Sequence, residues 1–292
     1  MSAVPLVVCA SNPARPRPPV LGGIAMFRLA CTAAALTLAL LGAAQAQPAV
    51  PEARAPAAEA RAVDPAAVQA LARMGAALRA LPAFHVHAQS STDAVLDTGQ
   101  NVAVIHRTDL DVRRPDRARA RIQGNGADKG MVYDGRHFTL YTAGAPGRPG
   151  YFSTLPAPPD LEALVDWLAR DYGIEPPLAD LVYWGRSPDD ASQLVDAQAL
   201  GVDRIGGQLC HHYAFRQPGV DWELWVQAGA RPLPCRLVLT DPSMVSRPRH
   251  QVDYTWTLAP GFAPGAFTFR PEPGARALPL EGPTPSEPGA PQ

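Results

Sequence analysis

The sequence predicts an α+β fold in which a curled antiparallel β-sheet carries helices on its concave face. Two stretches where apolar and polar residues alternate flank a middle stretch of helical period. Turn signals join neighbouring strands as hairpins, Asp134-Gly135 being the strongest of them.

Asp64-Pro65 opens the first helix, with an acid at the N-cap and proline at the first helical position. Val68, Leu71, Gly75 and Leu78 then recur on one helical face until Leu81-Pro82 ends it. From Phe84 the period becomes two. Phe84, Val86 and Ala88 alternate with His85, His87 and Gln89, and Asp97-Thr98-Gly99 turns the chain into a strand running from Gln100 to Val112. Further strands are expected at Arg117–Ile122, Met131–Tyr133 and Arg136–Thr142. Pro158-Pro159-Asp160 caps a helix whose Leu161, Leu164, Val165, Leu168 and Tyr172 form one stripe. A short turn through Leu178, Leu181 and Val182 follows, and Ser187-Pro188 is expected to cap another turn ending near Val195.

The sheet resumes at Gly201–Ile205 and Gln208–Arg216. Val220, Trp222, Leu224 and Val226 alternate with Asp221, Glu223 and Gln227, a half-buried strand. Leu233–Thr240 comes next, then a strand with Val252, Tyr254, Trp256 and Leu258 on one face, and a last one with Phe267 and Phe269 on one face. About ten strands side by side span about 45 Å, whereas a helix is about 10 Å across. Such a sheet must curl around its few helices, and a partial plug is expected to leave an apolar cleft.

The chain has 292 residues and net charge −1, with a pI near 6.7. That balance gives no electrostatic reason to expect nucleic acid or an anionic membrane as partner. Lys129 is the only lysine, and Arg113, Arg114, Arg117, Arg119 and Arg121 form the one dense basic run. In strand register Arg117, Arg119 and Arg121 share a face, which reads as a solvated face in preference to a phosphate-binding stripe.

Residues 26–46 have the order of a signal peptide: Arg28, an apolar run from Leu29 to Leu41, and Ala44-Gln45-Ala46, with cleavage expected after Ala46. Residues 1–25, rich in proline, would then precede the true start at Met26; a start at Met1 would bury the signal inside the chain. Residues 47–63 and 271–292 read as a linker and a Pro/Gly-rich tail. One domain, 64–270, remains. No segment of the mature chain is long and apolar enough to span a bilayer. A periplasmic location follows as the expectation. Cys210 and Cys235 are the only cysteines past the cut. Export permits a disulfide, but a strand lies between them in sequence, and strands two places apart are about 9.5 Å apart, too far to bridge unless the strand order differs.

Several segments together resemble a known family. Asp64-Pro-Ala, Tyr133-Asp-Gly135 with Phe138-Thr-Leu-Tyr141, Tyr172-Gly-Ile with Pro177-Leu-Ala-Asp180, the run His212 to Trp222, and Arg231-Pro-Leu-Pro234 are similar to the predicted periplasmic family called domain of unknown function 2092. The sequence departs from that pattern at Cys235, where a basic residue is expected. The family in turn resembles the half-barrels of the lipoprotein carrier LolA and the sensor RseB, which implies a concave apolar site closed by helices. It offers no catalytic residues to transfer.

No nucleophile elbow, zinc-protease motif or phosphate loop is present. His85 and His87 point the same way on a strand, but no third metal ligand is evident, so neither metal nor cofactor is expected. Asp221 and Glu223 share a strand face as solvated carboxylates rather than an acid–base pair. The candidate apolar cleft comprises Leu164, Leu168, Trp222, Leu224, Tyr254, Trp256 and Phe267. Trp225, an aromatic among charges, is the candidate interaction patch. The expected function is that of a non-enzymatic carrier holding a lipid or lipoprotein acyl chain. The alternative is an envelope-stress sensor or interaction module with a protein partner, and a hydrolase is the least supported reading.

Overall fold

The computed structural model describes residues 63–124, 126–186 and 191–280. The signal, the linker and the Ser187-Pro188 cap lie outside the described residues. Helix α1 spans Pro65–Arg79, and the Asp64 carboxylate accepts from the Ala66 amide at 2.8 Å. Six strands follow: β1 (Ala83–Val95), β2 (Asn101–Arg113), β3 (Arg117–Gly124), β4 (Ala127–Tyr133), β5 (His137–Thr142) and β6 (Tyr151–Pro156). Helix α2 (Leu161–Tyr172) is capped by Asp160, which accepts from the Ala163 amide at 2.8 Å, and ends at Gly173 with φ 62°. The short α3 (Asp180–Tyr183) leads to β7 (Asp196–Ile205), β8 (Gln208–Gln217), β9 (Val220–Gln227), β10 (Pro234–Thr240) and β11 (Arg249–Leu258). A two-residue strand, β12 (Arg276–Ala277), completes the set.

The strands form one sheet in the order β12-β6-β5-β4-β3-β2-β1-β11-β10-β9-β8-β7. Each run is a meander, because hairpin turns keep consecutive strands adjacent. The two meanders join where β1 pairs with β11, Phe84 opposite Leu258 and Thr92 opposite His250. The sheet is curled and unclosed, with β7 at one edge and β12 against β6 at the other. Among the described residues the β12–β6 pairing and the single Val63–Ala197 bridge are parallel, and the other strand pairings are antiparallel.

Alternation sends one side chain set inwards. Phe84, Val86, Leu110, Val112, Ala118, Ala120, Tyr133, Phe138, Leu224 and Tyr254 join one core with Met74 and Leu78 of α1, Leu164 and Leu168 of α2, and Leu181 of α3. Gly75 explains how α1 and the chain after α3 fit together. A Cβ at Gly75 would lie 2.6 Å from the Gly185 Cα, so the two backbones touch there and any side chain would part them.

The structure adds to or departs from these expectations at four places. First, Phe267 and Phe269 do not form a strand; the chain from Pro260 to Ala275 has no ladder partner and crosses the convex face as a strap. Second, the chain described past Arg270, to Leu280, touches the sheet: the Glu272 carboxylate accepts from the Gly144 amide at 3.2 Å, and β12 pairs with β6. Third, Cys210 and Cys235 are bonded, with Cα atoms 6.7 Å apart. Strand β9 does lie between them, but Cys210 faces its last residue, Gln227, and a register shift between Pro234 and Arg236 displaces Cys235 from the regular ladder. Fourth, β6 is a full strand, which the sequence pattern does not announce. Beyond the Ser187-Pro188 segment the chain turns through Ser192 and Gln193.

Candidate functional site

The concave face carries a band of aromatic side chains. Phe84 packs against Trp256 with ring centroids 5.4 Å apart, Tyr254 lies beside Trp256, and Phe215 stacks on Trp222 at 4.1 Å. The Trp256 indole donates to the Pro234 carbonyl at 2.8 Å. Leu164, Leu168, Trp222, Leu224 and Tyr254 all belong to the core over which α2 and α3 lie, with Trp256 packed at its margin. Six of the seven expected cleft residues are thus brought together. Phe267 is the exception: it lies on the convex side, its ring beneath the Arg113 guanidinium at 5.3 Å and edge-on to Phe262.

The expected open cleft is absent among the described residues, since Leu164, Leu168, Trp222, Leu224 and Tyr254 each expose less than a tenth of their surface. The reason lies in how far the apolar stripe extends. Along β1 it stops after Ala88, and Ser90 and Thr92 continue that face; on β2 and β11 His106, Thr108 and His250 do the same. The apolar area is therefore smaller than the strand count suggests, and three helices suffice to roof it.

The roof and the sheet beneath it contain polar groups that fit poorly in an apolar interior. Although Asp180 as a residue is only half-buried, protein atoms surround its carboxyl group, and burial pushes its pKa up to about 6. It accepts from the Tyr254 hydroxyl at 3.0 Å, linking α3 to β11. Burial also raises Glu175, which follows α2, and lowers Arg114, which sits near Glu162 and Arg79. Buried atoms of Glu175, Arg114 and the Trp222 indole nitrogen have no hydrogen-bond partner. Each such group costs about 1–3 kcal/mol. None of Asp180, Glu175 and Arg114 is among the candidate site residues that the sequence offers. The signal for the first was available, a lone acid between Leu178 and Leu181-Val182.

On the convex face Trp225 is only 7 % exposed, so it is no surface patch. His212 stacks on it at 3.8 Å, its indole donates to Asp203 at 2.8 Å, and it packs with the Cys210–Cys235 bridge. Asp221 accepts from Arg216 at 2.6 Å and Arg247 at 2.9 Å; these contacts outweigh burial and hold its carboxyl below the usual range. Glu223 meets His212 at 3.1 Å and Arg249 at 3.0 Å. His85 and His87 each contact an aspartate, Asp111 and Asp109, at 2.8 Å. Among the described residues no three His, Cys, Asp or Glu side chains converge as a metal set, and no helix is long and apolar enough to cross a membrane.

A curled, unclosed sheet roofed on its concave side by helices defines the class of architecture. Residues 67–281 match the family model described as "Predicted periplasmic protein (DUF2092)", and the chain belongs to that family. Among solved structures it is similar to the lipoprotein LppX of Mycobacterium tuberculosis, at 15% identity and TM-score 0.43, over 68% of this chain and 98% of that one. It is similar to the MucA/MucB complex structure of Pseudomonas aeruginosa, at 16% identity and TM-score 0.41, over 70% and 61% of the two chains. A LolA superfamily protein of Nitrosomonas europaea matches at 13% identity and TM-score 0.34, over 70% and 97%. At this level of likeness the site described above rests on its own geometry. No curated protein matches the sequence.

Proposed function

We propose that the chain is exported through the 26–46 signal, is cut after Ala46, and serves in the periplasm as a binding protein for an apolar ligand, a lipid or lipoprotein acyl chain. The site is the aromatic concave face, entered when the α2–α3 roof moves. One observation carries this reading: the roof over the apolar face holds the enclosed acid Asp180 and the unsatisfied Glu175 carboxylate, and it lies against the unsatisfied Arg114 of the β2–β3 turn, which is near Glu162 of α2. Opening it returns those groups to water, and acyl methylenes would replace the lost packing at about 0.8 kcal/mol each. No catalytic role is assigned, because Asp221 and Glu223 are both engaged by arginines.

Protein made in the envelope should carry lipid, read by mass spectrometry of solvent extracts. Identical extracts from native and delipidated protein would sink the carrier reading. A second reading, docking of an envelope protein strand, is favoured by the β7–β8 hairpin. Among the described residues its edge strand is unpaired beyond the Val63–Ala197 bridge, and Leu200 and Val202 are each 50% exposed. Pull-down from envelope extracts separates the two, since a carrier yields lipid and a docking module yields protein.

A further inference from the structure

One rung between β2 and β3 sets like charges opposite each other. On the convex face Asp109 stands opposite Arg121 and Asp111 opposite Arg119, but the next pair is Arg113 opposite Arg117. Like charges directly opposite one another destabilise a sheet. Arg119 and Arg121 each hold a carboxylate at 2.6 Å, and Arg117 leans on Asp116 at 2.8 Å. Arg113 has no ion pair among the described residues and lies over the Phe267 ring.

A third guanidinium, Arg136, reaches the same place from the β4–β5 turn, also without an ion pair among the described residues. The acid beside it, Asp134, is already occupied, accepting from the amides of Arg136 at 2.9 Å and His137 at 2.7 Å. Gly135, at φ +86°, lets this turn close down on Arg117, since a Cβ there would sit 2.2 Å from its guanidinium nitrogen. Together with Phe262–Thr268 of the strap these groups line a recess of about 570 Å³. It faces away from the concave site.

We propose that this recess binds the phosphate group of an anionic ligand. A guanidinium presents parallel N–H donors that match phosphate oxygens, and an anion seated here would relieve the Arg113–Arg117 opposition while engaging Arg136. The Phe262 and Phe267 rings, 5.0 Å apart, give the recess an apolar wall for whatever carries the phosphate. That carrier is either a soluble phosphate compound or a lipid headgroup.

The test is calorimetric titration of the purified chain with inorganic phosphate and with a short-chain phosphatidylglycerol, beside flotation on phosphatidylcholine vesicles with and without phosphatidylglycerol. Arg113→Gln and Arg136→Gln should each weaken phosphate binding about tenfold, the loss of one charge-assisted contact. Arg204→Gln, on the distant β7–β8 hairpin, should leave it unchanged. Arg136 is exposed, so its variant keeps the test valid if loss of Arg113 loosens the strap. Flotation that needs phosphatidylglycerol and is lost in both variants assigns a lipid headgroup; titration without flotation assigns a soluble phosphate. Absence of binding by either probe, or equal weakening by Arg204→Gln, overturns the proposal.

Discussion

The two faces of the sheet are held by different physics. The concave face is a continuous apolar surface, Phe84 to Tyr133 on one side and Leu224 to Tyr254 on the other, and shape complementarity with α1, α2 and α3 buries it. The convex face is a ladder of paired charges, Asp111 with Arg119 and Arg236 with Asp253, stiffened by a disulfide and crossed by an aromatic strap. Burial supplies most of the stability, so changes on the two faces should differ in size.

The largest effect is expected from Leu168→Ala in α2, whose side chain is fully buried; it should cost about 2–5 kcal/mol in urea unfolding. A cost no greater than that of a surface substitution would mean the roof is not packed on the sheet. Reducing the Cys210–Cys235 bridge, which spans 25 residues of sequence, should cost about 3 kcal/mol by freeing the unfolded chain. An unchanged midpoint in reductant would show that the convex face does without it.

Asp180 makes the comparison depend on pH. Its folded pKa of about 6 lies above the 3.8 of the free acid, so the folded state holds its proton more tightly. The stability this proton supplies is present below pH 4 and lost as pH rises through 6, a loss of roughly 2–3 kcal/mol at pH 7. Asp180→Asn should therefore be the more stable protein at pH 7, with the difference vanishing near pH 4. His106 and His250, both lowered by burial, act in the opposite sense and cancel when variant and parent are compared. Last, Arg121→Gln on the exposed convex ladder should leave the midpoint unchanged within error, because solvent screens its pair with Asp128.

Much of this was legible in the sequence, and the failures have identifiable causes. Caps at Asp64 and Asp160, the Asp134-Gly135 turn and the alternation through Trp222 state their structure locally. Phe267 and Phe269 also alternate, but alternation cannot say whether a partner strand exists; these rings pack across the back of the sheet on Arg113, Tyr141 and Phe152 instead. The disulfide depended on a register shift at Pro234–Arg236 that leaves no mark in the residue pattern. Roof closure depended on where the apolar stripe ends, at Ala88, and that limit was readable from Ser90 and Thr92. Trp225 misled because charged neighbours suggested exposure, whereas His212 covers it.

Each outer strand of the sheet is met by another stretch of its own chain. Val63 bridges to Ala197 on β7, and Arg276–Ala277 pairs with Tyr151 and Phe152 on β6. An uncovered outer strand offers a row of unused amides and carbonyls to any neighbour. A chain shortened after Arg270 would bare β6 in that way, and self-association of such a truncate should begin along that strand.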